Sequence, residues 1–207
     1  MKTHLILLFI SFTFGAKTVL AQTTPYERMG QKEMSGGNFT AAANYFEQAY
    51  VKDNSNMNAL WLMGYSNYHA LEYRKSIDAF NKLIAMKPTE TAAYYYRGKA
   101  KVLLSGTIKD YKSTERGKLI HGAIKDFTTA LDFTPSDYKL YQNRGLAYQE
   151  YAIYRSQRVA DIYNKVAAIN AANASIADFQ KVLEEGGFRR DINAQIEKSK
   201  QLLADIK

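Results

Sequence analysis

Between Met57 and Pro88 the apolar positions fall on two helical faces separated by a short polar break. Leu60, Met63, Gly64, Asn67 and Leu71 recur at three- and four-residue intervals, the spacing of one face of a helix about four turns long. Tyr73, Ile77, Phe80, Leu83 and Ile84 repeat that spacing in a second helix. Pro88 stops it, because proline has no amide proton for the next helical hydrogen bond. Both faces are predicted to be buried. Gly64 carries no side chain, so the second helix is predicted to approach it closely.

The pattern recurs in both directions. Upstream, Gly30, Phe39 and Phe46 each lie 34 residues before Gly64, Tyr73 and Phe80. Gly36 and Gly37 fit the turn between the two helices, where a left-handed backbone is easiest for glycine. Downstream, Gly98 takes the place of Gly64, but Ala123, Phe127, Ala130 and Pro135 come thirteen residues late. The stretch 105–117 is therefore read as an insertion that projects from one edge and is mobile. A fourth copy carries Tyr138, Tyr141, Arg144, Gly145 and Tyr148, then Ser175, Ile176, Asp178, Phe179, Val182 and Leu183, ending at Gly186 and Gly187. Here the excess is eighteen residues of strong helix formers without proline or glycine, so both helices are predicted to run about two turns longer. The last stretch, 189–207, reads as a lone amphipathic helix with Ile192, Ile196 and Leu203 inward.

A large residue followed by Met63 and Gly64, then Tyr73, Phe80 and Pro88, is similar to the tetratricopeptide (TPR) pattern with its period of about 34 residues. Ser76 and Leu83 depart from it where small alanines are usual, and Asn67 where tyrosine is common. The resemblance implies an all-α, right-handed superhelical solenoid of about four TPR helix-turn-helix repeats with a C-terminal capping helix. The repeats would cover 23–56, 57–90, 91–137 with the insertion 105–117, and 138–187 with lengthened helices, and the cap 189–207. Such repeats bury their apolar faces only against neighbours and carry no chemistry of their own, so the implied role is a binding scaffold.

The first 21 residues have a different character. Lys2 precedes a twelve-residue apolar run, Leu5 to Ala16, and Val19, Leu20 and Ala21 form a small-residue processing site. This is the layout of a cleaved secretory signal, and the run is well short of the roughly 20 residues of a membrane span. The expectation is an exported, periplasmic or extracellular domain, 22–207. No cysteine is present, which excludes disulfides and a lipid-bearing cysteine. Loss of Lys2 and Lys17 takes the formal charge from +8 to +6. Those bases are spread along the helices, which argues for a solvated surface and against a nucleic-acid partner.

No arrangement of residues announces catalysis. His4, His69 and His121 are scattered without metal-ligand spacing, and there is neither a phosphate loop nor a cysteine nucleophile, so no metal, cofactor or enzymatic activity is expected. The candidate site is the hollow face that TPR proteins use for peptides, lined by the first helix of each repeat. On it the resemblance places Asn58, Trp61, Tyr65, Tyr68 and His69, then Tyr95 and Lys99, then Lys139, Gln142 and Leu146. Aromatic rings there offer large contact area at little entropic cost, and equally serve the core of bulky repeats. The lysine and asparagine positions by which chaperone-clamping TPR domains resemble one another hold Glu27, Gln31, Leu62, Ala92 and Tyr96, so that clamp is absent. The expected role is an adaptor docking a protein or peptide segment in the cell envelope. The rivals are an envelope glycan binder and an enzyme whose site lies in the two insertions.

Overall fold

The computed structural model describes residues 24–206. The expected signal, 1–21, lies outside them. Among the described residues there are nine helices and no strand: α1 (Pro25–Ser35), α2 (Phe39–Lys52), α3 (Met57–His69), α4 (Tyr73–Met86), α5 (Thr91–Thr107), α6 (Thr114–Phe133), α7 (Tyr138–Ser156), α8 (Lys165–Gly186) and α9 (Arg190–Ile206). Several starts carry side-chain caps. Thr24 and Glu27 form a reciprocal capping box, Asn56 accepts the Ala59 amide at 2.9 Å, and Asn164 accepts the Ala167 amide at 2.8 Å. None of the described helices is long and apolar enough to cross a membrane.

Each helix packs on the one before and the one after it, and the remaining contacts join α3 to α5, α5 to α7 and α7 to α9. The odd-numbered helices therefore approach one another across the inner, concave side, and the even-numbered ones form the outer layer. This is a solenoid of four helix pairs closed by α9.

One contact organises every pair. A Cβ placed on Gly30, Gly64, Gly98 or Gly145 would lie 2.7, 2.9, 2.8 or 2.9 Å from the ring of Phe46, Phe80, Phe127 or Phe179 respectively. All four rings are fully buried. The glycine thus admits a phenylalanine ring rather than the partner backbone, and that ring sets the spacing of the pair.

Two readings of the sequence change here. The stretch 105–117 is not a projecting loop. α5 is four residues longer than α3 and α6 six longer than α4, which leaves only 108–113 as connection. Helix is favoured because the added turns bury surface: Gly117 lies under the ring of Tyr154 from α7, whose Cε1 would be 2.3 Å from a Cβ at that position. The second correction is Leu71, expected on the buried face of the first helix. α3 ends at His69, and Leu71 is 70% exposed with φ of 63°. It stands 34 residues after Gly37, which takes φ of 79° in the equivalent turn, so the left-handed turn is kept although its glycine is not. A side chain in that conformation costs about 1–2 kcal/mol.

The fourth pair lengthens as expected, with α7 and α8 of 19 and 22 residues. α9 buries Ile192 and Ile196 against Phe179 and Val182. Leu203 packs beside Ala152, Ala171 and Ala172. A buried polar chain ties the three last helices: Gln149 of α7 donates to Ser199 of α9 at 2.9 Å, and Ser199 meets Ser175 of α8 at 3.0 Å.

The ring over the glycine yields a contrast within a single helix. Alanine is the better helix former by about 1 kcal/mol, but at Gly98 overpacking against Phe127 costs about 1–3 kcal/mol, so Gly98→Ala is expected to destabilise. At Gly106, also in α5, a Cβ meets nothing within 4 Å. Gly106→Ala is expected to gain up to about 1 kcal/mol. Urea unfolding of the two variants checks the opposite signs, and equal signs would mean that the ring does not set the spacing.

Candidate functional site

The concave face carries a continuous run of rings. On α3, Trp61 stacks on Tyr65 with centroids 5.2 Å apart, and Tyr65 meets His69 at 4.4 Å. Four-residue spacing places these three one above another along the helix. Phe39 of α2 stacks on His69 at 4.8 Å and closes the run at one end. At the other end Tyr96 of α5 stands edge-on to Trp61, Tyr65 and Tyr68 at 6.0, 5.2 and 5.5 Å and touches Tyr95 at 5.2 Å. Tyr96 also stacks over the buried Phe80 at 6.0 Å, so the same ring belongs to the groove and to the core.

Lys99 lies in the middle of this cluster. Its ammonium is 5.1, 5.3 and 5.9 Å from the ring centres of Tyr68, Tyr95 and Tyr96. Cation–π contacts of this kind hold it in place at about 0.5–2 kcal/mol each. It has no carboxylate partner among the described residues. Burial, then the neighbouring Tyr65, Tyr95 and Tyr68, push the Tyr96 phenol up to about 12, so Tyr96 stays a neutral hydrogen-bonding group. Burial likewise raises Tyr68. The His69 imidazole is lowered from 6.5, first by burial and then by the charge of Lys99. Beyond Tyr95 and Tyr96 the face continues into a cavity of about 370 Å³ bounded by Thr91, Asp137, Lys139 and Leu140.

Six of the ten candidate residues are thus gathered: Trp61, Tyr65, Tyr68, His69, Tyr95 and Lys99. Asn58 and Gln142 are engaged elsewhere. The Asn58 amide donates to Glu27 of α1 at 3.3 Å, alongside Asn56 at 3.2 Å. Burial raises the Glu27 carboxyl, but hydrogen bonds from the Thr24 amide and from Asn56, Thr24 and Asn58 outweigh it and leave the group below its ordinary value. Gln142 accepts from Arg189 at the approach to α9, 3.0 Å away. Both are ties between neighbouring elements. Leu146 packs with Phe179 and Ile196.

Sequence reasoning missed Tyr96 as the centre of the cluster. It follows Tyr94 and Tyr95, and three consecutive tyrosines on a helix must point to different sides, which was the available signal. Phe39 was missed as well, having been assigned to the opposite wall of its pair. Among the described residues no three of His, Cys, Asp and Glu come together as metal ligands.

Four stacked helix pairs and a closing helix with a ring-lined hollow define a repeat scaffold, and the particular solenoid is that of the tetratricopeptide repeat. No protein-family model matches the sequence, nor does any curated protein. Solved structures do. A crystal structure of MamA superposes with a TM-score of 0.57 at 19% identity, covering 88% of this chain and 92% of that one. MamA from Desulfovibrio magneticus gives 0.54 at 15% identity over 87% and 90% of the two chains. A thermophilic TPR protein of Thermus thermophilus gives 0.51 at 19% identity over 85% and 97%. At such identities the likeness establishes the fold.

The lowered His69 carries a pH dependence. Between its native value and 6.5 the unfolded chain binds a proton that the folded chain does not, so stability falls as pH drops through that window and levels off below it. His69→Gln is expected to remove that part of the acid loss. Melting temperatures of both proteins across the window check it, and parallel curves would show that His69 titrates alike folded and unfolded.

Proposed function

We propose that this chain is a non-catalytic scaffold that holds an extended segment of a partner protein along its concave face. The observation that carries the reading is Lys99, a half-buried cation ringed by three tyrosines and lacking a carboxylate of its own. An acidic side chain or chain terminus of the partner would complete it. Apolar partner side chains would rest on Trp61, Tyr65 and Tyr95, rings that lose little entropy on contact. A glycan needs open ring faces, whereas Tyr65 is flanked by Trp61, His69 and Tyr96 together. The arrangement offers edges and one charge, which favours peptide.

The test begins with co-purification from the native host and continues with variants. Tyr65→Ala and Lys99→Met are each expected to weaken the recovered complex by about 2 kcal/mol, roughly thirtyfold, with the fold retained. Tyr95 is the poorer probe, because it also packs against the core around Phe127 and its loss would lower stability too. A partner held as tightly by both variants as by the parent protein does not lie in this groove. Retention on purified envelope glycan, abolished by Tyr65→Ala, would favour the glycan reading instead.

The scaffold is further proposed to work outside the cytoplasm, on the strength of the segment Met1 to Ala21. Mass measurement of the protein from its host is expected to give an amino terminus at Gln22. Recovery of the intact Met1 form would overturn the export proposal and leave the groove proposal standing.

A further inference from the structure

The two lengthened pairs meet at the edge where the helices of each pair turn back. There the start of α6, the end of α7 and the connection 157–164 border an open cavity of about 260 Å³, lined by Gly117, Lys118, His121, Tyr154, Arg155 and Asp161 among others. It shares no residue with the ring-lined groove. Gly117, Tyr154, Arg155 and Asp161 have no counterpart in the first two repeats, because they belong to the extra thirteen and eighteen residues.

The lining carries donors without a partner inside the protein, one of which is buried. Tyr154 is only 4% exposed, laid across Gly117, and its hydroxyl makes no hydrogen bond to any described residue. The Nε of Arg155 is buried without a partner, and its guanidinium faces the Tyr151 ring at 6.0 Å with no carboxylate in reach. At the exposed rim, Lys118 has no ion pair, and the His121 ring lies 5.6 Å from Tyr151. A buried donor lacking an acceptor costs about 1–3 kcal/mol, more when charged, so a group such as the Arg155 Nε is normally satisfied by something. Asp161 is the single acid on the wall. It holds a left-handed backbone, φ 67°, in the connection, and its carboxylate bonds to none of these donors.

We propose that this cavity binds a small ligand through a phosphate or carboxylate group, with Lys118 and Arg155 as its charge partners and Tyr154 and His121 as further hydrogen-bond donors. The volume sits just under the usual small-ligand range, which begins near about 300 Å³, so the ligand is an inorganic anion or a short organic acid and not a peptide. Asp161 opposes the anion and limits affinity. This site stands apart from the scaffold reading, and either holds without the other.

The probes are inorganic phosphate and succinate, each titrated in place of chloride at fixed ionic strength. The readouts are the amide resonance of Gly117 and the ring resonances of His121. Saturable shifts are expected with at least one probe, and the probe that works tells phosphate from carboxylate chemistry. Lys118→Met combined with Arg155→Met is expected to weaken binding about tenfold or more, as loss of charge-assisted hydrogen bonds does. Asp161→Asn is expected to tighten it without disturbing the turn, since asparagine tolerates the left-handed backbone. No saturable shift with either probe overturns the proposal, as do shifts that the double variant keeps. If the double variant fails to fold, Asp161→Asn decides alone, and unchanged or weaker binding there overturns the site.

Discussion

Each helix pair depends on a phenylalanine ring seated on a glycine. Phe46 on Gly30, Phe80 on Gly64, Phe127 on Gly98 and Phe179 on Gly145 are the same contact made four times. In the first two pairs the partners are sixteen residues apart, and in the last two the thirteen and eighteen extra residues all fall between them. The contact survives because it is made in space by two helices whose far ends are free to lengthen. Insertions elsewhere, between a phenylalanine and the next glycine, would displace one pair against the next.

A second repeated feature appears only in the lengthened pairs. The residue before the glycine is Met29, Met63, Arg97 and Arg144 in turn, and the residue before the phenylalanine is Tyr45, Ala79, Asp126 and Asp178. Arg97 therefore meets Asp126, at 3.0 Å from Nε, and Arg144 meets Asp178 at 2.8 Å. Each arginine also reaches back to the preceding pair, to Asn81 at 2.8 Å and Thr128 at 3.2 Å. Lys101 adds a third charge at Asp126, 2.7 Å away, and burial lowers its ammonium against that attraction. Burial raises the Asp178 carboxyl while the Arg144 hydrogen bonds pull it down. Desolvation of such pairs cancels much of their attraction, so their stabilising effect is small. Each arginine fork binds both oxygens of its aspartate, beside the ring that sits on the glycine.

The repeats were legible in the sequence because the glycine and the ring recur in every copy, at one spacing in the first two and with a proline eight residues past the ring in the second and third, and the solenoid follows from neighbours needing each other's faces. The extra residues were not legible as helix. The delay of thirteen residues marked 105–117 as an insertion, and what packs on Gly117 in the helix is Tyr154, some 37 positions away and in another pair. Leu71 misled in the other way, since periodicity carried it onto the apolar face while the turn inherited from Gly36 and Gly37 ended the helix first. At the groove, the spacing of the rings on the first helix found Trp61, Tyr65 and Tyr68. It missed Asn58 and Gln142 as ties because their partners, Glu27 and Arg189, come from neighbouring elements.

The concave face is also where the solenoid is most lightly joined. Adjacent helices pack along their lengths, but α3 and α5 touch only across the inner side, largely through rings. Tyr96 makes that joint, resting on Phe80 below while touching Trp61, Tyr65 and Tyr68 beside it. A segment lying over Tyr65, Tyr95 and Lys99 would span the same joint and add contacts on both sides of it. Binding would then stabilise the angle between the second and third pairs by mass action, and a change in that angle would alter affinity in equal measure. On the proposed reading, the half-burial of these tyrosines would couple recognition to the stacking of the repeats. Rings standing fully clear of the core would give contact area without that coupling, and rings fully within it would give the stacking without a surface to bind.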